Sequence, residues 1–128
     1  MKKNRKITEE ILDNHLIDLM RVYQAAKTQN PLAIRLELEH LNDEGLRIVQ
    51  SAFFVGRQVY GKKPRVNGYK IINTYMDEDD KDNIVLYLTS KREDVFLLDF
   101  ERGLMLSGML DKVKGALLYE KLSSKMSN

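Results

Sequence analysis

The residues able to carry chemistry are few and scattered. The chain has no cysteine, which removes disulfides, thiolate zinc sites, iron–sulfur clusters and cysteine nucleophiles together. Its two histidines, His15 and His40, lie in different segments, and neither has a second histidine at helical spacing. A metal site would need Asp or Glu brought to them by the fold. His15 borders an apolar stripe, where a hydrogen-bonded structural histidine is the expected role. The acidic run Asp77 to Asp82 resembles the start of a calcium loop. Such a loop needs Gly at its sixth position and Glu at its twelfth, where this chain has Asp82 and Leu88. A magnesium site from Asp79, Asp82 and Asp99 is chemically conceivable but not demanded by spacing. Gly61-Lys62-Lys63 lacks the upstream glycines of a phosphate loop, and there is no Gly-x-Gly-x-x-Gly or Gly-x-Ser-x-Gly. We therefore expect no enzyme, no metal site and no cofactor.

Two other groups suggest binding. Arg57, Lys62, Lys63, Arg65 and Lys70 fall close together, with Tyr60 and Tyr69 interleaved. Cationic side chains neutralise phosphates and tyrosine stacks on unpaired bases, so Arg57, Lys62, Lys63, Arg65, Tyr69 and Lys70 are candidate contacts to nucleic acid or another anion. Lys2, Lys3, Arg5 and Lys6 could add a basic arm. The competing explanation is a solvated lysine-rich loop. The second group is apolar. Phe53, Phe54, Phe96, Leu97, Leu98 and Met105 exceed what one face of a short helix needs, and form a candidate partner interface. The competing explanation is that these helices are central.

These residues need elements to hold them. The 128 residues are 43% hydrophobic and 31% charged, the profile of one folded domain. Residues 1–70 carry 13 Lys/Arg against 8 Asp/Glu, or +5, and residues 71–128 carry 8 against 11, or −3. Such asymmetry permits head-to-tail self-binding or an anionic partner. The basic start runs into Ile7-Thr8-Glu9-Glu10 rather than an apolar stretch, and no long apolar run occurs later. The expectation is a cytoplasmic chain, bacterial in type, with no secretory signal and no membrane segment.

Thr8 is a natural N-cap, with Glu9 and Glu10 in the first turn and Ile7 able to close over Leu12. Leu12, Leu16, Leu19, Tyr23 and Ala26 then predict one helix ending near Asn30, before Pro31. Residues 31–41 alternate like a strand, but Asn30-Pro31 also starts a helix well, and we read a helix. Asn42-Asp43-Glu44 opens a central helix carrying Leu46, Val49, Phe53, Gly56 and Tyr60. Gly56 there implies close approach of another backbone. Residues 61–70 read as a basic loop, and 71–76 as a short helix or strand. Helices are then expected from the acidic run to about Lys91, from Glu93 with a bend at Gly103, and beyond Gly108. The last of these carries Leu110, Val113, Leu117 and Leu122. The expected organisation is a flexible basic terminus at 1–6, one helical domain at 7–122 and a frayed end at 123–128.

Two stretches carry a resemblance. One is Leu41-Asn42-Asp43-Glu44-Gly45-Leu46 running to Phe54-Val55-Gly56-Arg57. The other is Tyr87-Leu88-Thr89-Ser90-Lys91 followed by Leu98-Asp99-Phe100-Glu101-Arg102-Gly103-Leu104. Together they resemble a family of small bacterial helical proteins catalogued as a domain of unknown function. The likeness covers residues 32–106 and departs from the pattern around residues 58–70. It implies an all-helical fold and carries no known activity.

The fold class expected is therefore all-α, a single domain of five or six helices. The alternative is α+β with strands near 32–38 and 84–88. The expected function is a protein-interaction module or homo-oligomer, and nucleic-acid binding through residues 57–70 is the alternative.

Overall fold

The computed structural model describes residues 6–58, 68–76 and 79–126, with the side chain of Met126 left aside. Among these residues the fold is all-α. It comprises α1 (Glu9–Asn14), α2 (Leu16–Thr28), α3 (Pro31–His40), α4 (Asp43–Gln58), a 3-10 helix (Gly68–Tyr75), α5 (Lys81–Thr89), α6 (Glu93–Leu106) and α7 (Leu110–Met126). The segments 32–38 and 84–88, the two candidate strands, are both helical. The count exceeds five or six for two reasons. The first expected helix divides at His15, and residues 68–75 wind as a 3-10 helix. Residues 1–5 and 59–67 lie outside the described set, and with them most of the basic arm and loop.

Side-chain caps start several of the helices. The Thr8 hydroxyl accepts from the Ile11 amide, Asn30 from Leu32 and Ala33, Asn42 from Gly45, and Asp80 from Asn83. Each satisfies an amide that the helix itself leaves unpaired. Gln29 takes a left-handed conformation, φ 53°, and turns the chain from α2 into α3. Gly108, φ 79°, does the same between α6 and α7.

Helices α4 and α6 form the centre. A β-carbon built on Gly56 would lie 1.8 Å from the Asp99 carbonyl oxygen, and one on Gly103 would lie 1.7 Å from the Ala52 carbonyl oxygen. The two backbones therefore touch where a side chain cannot fit. Helix α6 runs through Gly103 to Leu106 without interruption, and the glycine, where a bend was expected, stands at this contact. Beside the crossing, Phe53, Phe96 and Phe100 stack, with centroids 5.9 Å and 5.5 Å apart. Helices α2 and α7 pack on one side of this pair, and α3, α5 and the 3-10 helix close the rest.

The N-terminal segment is fastened across the chain. The Asn73 side chain accepts from the Ile7 amide at 2.8 Å and donates to the Ile7 carbonyl at 2.9 Å. Ile7 is fully buried. At the other end, α7 continues to Met126, four residues into the stretch expected to fray.

Candidate functional site

Among the described residues, the side chains able to carry chemistry lie apart from one another, several of them in structural contacts. His15 sits in the joint between α1 and α2, with Nε2 2.9 Å from Glu44 and Nδ1 3.1 Å from Asp18. In the protonated ring both nitrogens donate, and one side chain ties the joint to the first turn of α4. This is the hydrogen-bonded, largely buried histidine expected. His40 is exposed at the end of α3. Tyr23 is buried, and its hydroxyl donates to Glu101 at 2.6 Å. Burial, with this bond second, pushes its pKa well above the ordinary phenol range.

Asp79 and Asp82 lie exposed beside the start of α5, whereas Asp99 is buried on α6 against α4. Among the described residues, no group of three or more His, Asp or Glu side chains could hold a metal ion. The Asp99 carboxyl is raised above its ordinary value by burial. Arg102 and Arg57 pull the other way. Arg102 Nη1 stands 3.5 Å from Asp99 and donates to the Gly56 carbonyl at 3.2 Å. That carboxylate and guanidinium serve the α4–α6 crossing.

The candidate anion contacts are only partly placed. Arg57 is exposed at the end of α4, and Lys70 is exposed on the 3-10 helix. Tyr69 is half-buried and packs against the core, which leaves less of its ring for stacking. Lys62, Lys63 and Arg65 lie outside the described residues.

The expected apolar interface is corrected by the structure. Phe53 and Phe96 are core residues, because α4 is surrounded by α6, the 3-10 helix and α5, and needs apolar side chains on several faces. Phe54 and Leu97 are half-buried, and Phe54 packs on the rings of Tyr75 and Tyr87. Only Met105 and Leu98 remain exposed from that set. Among the described residues, a further exposed helix surface with large apolar side chains lies on α7. Val113 is its one buried residue, and Leu110, Ala116 and Leu117 are half-buried against the core. Near its start, Lys112 pairs with Asp13 at 2.8 Å. From residue 118 to 125 every residue except Ser123 is exposed, including Leu118 (58%), Tyr119 (74%) and Leu122 (51%).

The sequence holds a signal for this surface. Asp111, Gly115, Leu118, Leu122 and Lys125 recur at intervals of four and three, the spacing of a coiled-coil seam. It is easily missed because Leu110, Val113 and Leu117 form a second stripe that satisfies the domain's own core. Open grooves also lie among the described residues. Ala25, Thr28, Ala33 and Leu36 line one between α2 and α3, and Arg35, Glu39, Val85 and Leu86 line one between α3 and α5. Among the described residues no helix is long and apolar enough to cross a membrane. No protein-family model, curated protein or solved structure matches the chain.

Proposed function

We propose that the protein is a non-enzymatic interaction module and that α7 is the element it presents to a protein partner. One observation carries this: the C-terminal half of α7 keeps helical order while exposing Leu118, Tyr119 and Leu122 to solvent. A helix gains most of its stability from an apolar face packed on something. Adjacent leucines left outward along one line are the usual substrate for helix-to-helix recognition.

Site-specific photocrosslinking tests it. A photoreactive phenylalanine in place of Tyr119 should give a discrete protein adduct in cells. The same group in place of Glu10, exposed on α1, should not. The adduct should vanish in a Leu118→Lys/Leu122→Lys variant that retains its melting temperature. No adduct from position 119, or equal adducts from both positions, refutes the proposal.

A further inference from the structure

We infer that the partner of α7 is a second copy of α7, packed antiparallel about a two-fold axis beside Leu118; this rests on the proposal that α7 is the interaction element. The first support is Gly115. It lies inside a helix, is exposed, and a β-carbon there would meet nothing within 4 Å. The domain's own packing therefore gives no reason for a residue that costs about 1 kcal/mol of helix propensity relative to Ala. A neighbouring helix approaching along the same line does give one, because glycine opens a hole for an incoming side chain.

The second support is the order of residues along the seam. Asp111 and Lys125 stand at equal distances on either side of Leu118, both exposed. Antiparallel pairing about Leu118 brings Asp111 opposite the partner's Lys125, and Lys125 opposite the partner's Asp111. It sets Leu118 against the partner's Leu118 and brings Leu122 to within one residue of the level of the partner's Gly115. A parallel pair would instead oppose Asp111 with the partner's Asp111 and Lys125 with the partner's Lys125, which repel. A two-fold contact is self-complementary by construction and closes at two copies.

One flank works against the pair. Lys114 and Lys121, both exposed, border the seam on the same side, and the antiparallel arrangement brings Lys121 near the partner's Lys114. With two leucines per copy in the seam, the dimer belongs well below the roughly 1,200 Å² of a strong interface and in the micromolar range.

The test is sedimentation equilibrium of the full chain across the micromolar range, with four variants. Gly115→Leu should abolish association while raising thermal stability, since its side chain fills the hole but clashes with nothing in its own chain. Asp111→Lys should weaken association about tenfold, and Asp111→Lys/Lys125→Asp should restore it. Lys121→Glu should tighten the dimer several-fold by pairing with the partner's Lys114. A wild-type chain that stays monomeric throughout overturns the inference, as does a dimer indifferent to Gly115→Leu or weakened by Lys121→Glu. A monomer that still gives a position-119 adduct with a different protein overturns self-pairing alone. A monomer with no adduct overturns self-pairing and the α7 proposal together.

Discussion

Replacing Gly56 by Ala adds one methyl group and should remove a large part of the protein's stability. The new β-carbon starts 1.8 Å from the Asp99 carbonyl oxygen, 2.8 Å from its carbon and 3.0 Å from the Gly103 nitrogen, all backbone atoms. Ordinary contact begins near 3.4 Å. Helices α4 and α6 must therefore part by about 1.5 Å, since no flexible side chain is available to yield. Parting them loosens the Phe53–Phe96 stack beside the crossing. Overpacking of this kind costs roughly 1–3 kcal/mol or more, and the added loss of core contact puts the gross cost near the top of that range. Alanine returns about 1 kcal/mol of helix propensity. The net loss is then about 2 kcal/mol out of a typical 5–15, or a fall in Tm of roughly 6–10 °C for a domain of this size. Urea denaturation followed by circular dichroism measures it directly. Gly115→Ala, assayed under the same conditions at a concentration where the chain is monomeric, is the control. Its β-carbon meets nothing, so it should stabilise by up to about 1 kcal/mol. If Gly56→Ala equals wild type, the close crossing of α4 and α6 is wrong.

Other outcomes follow from the buried polar groups. Because burial raises the Asp99 carboxyl, the folded chain holds that proton more tightly than the unfolded chain. Its contribution to stability is fullest below the ordinary carboxylate range and is lost as pH rises through the raised value. Asp99→Asn should accordingly raise Tm at neutral pH, with the gain shrinking as the pH falls into the carboxylate range; thermal melts across pH check this, and a destabilised variant at pH 7 refutes it. His15→Ala should cost about 2 kcal/mol in urea unfolding, through loss of the bonds to Glu44 and Asp18; a loss below measurement would show that the joint holds without them. If the basic segment binds single-stranded nucleic acid, Lys62→Glu/Lys63→Glu/Arg65→Glu should abolish a salt-dependent fluorescence-anisotropy signal. No signal from the wild-type chain at low salt removes that alternative.

Helix beginnings were the most legible part of the sequence. Thr8, Asn30 and Asn42 act as caps, because capping needs only a short polar side chain in the right place, whereas Asp80, expected within the first turn of α5, is its cap. The break at His15 was hidden. The apolar stripe continues through Leu12, Leu16 and Leu19, and the partner that fixes the joint, Glu44, is 29 residues away. The fate of Phe53 and Phe96 was likewise set by neighbours distant in sequence. A surplus of apolar faces reads the same for a helix at the centre as for one at an interface. Gly56 was read as a close approach and Gly103 as a bend, yet they are the two sides of one contact. The helical path extends to Met126 although few apolar residues remain beyond Ser123.

The Asn73 side chain treats Ile7 as a neighbouring strand would, offering an acceptor and a donor to one residue's backbone. Sixty-six positions separate the two, so the contact closes a loop of half the chain. An amide outside any helix would ordinarily exchange its hydrogen within moments. The Ile7 amide, sealed and fully buried, should exchange as slowly as those at the α4–α6 crossing and report on global unfolding.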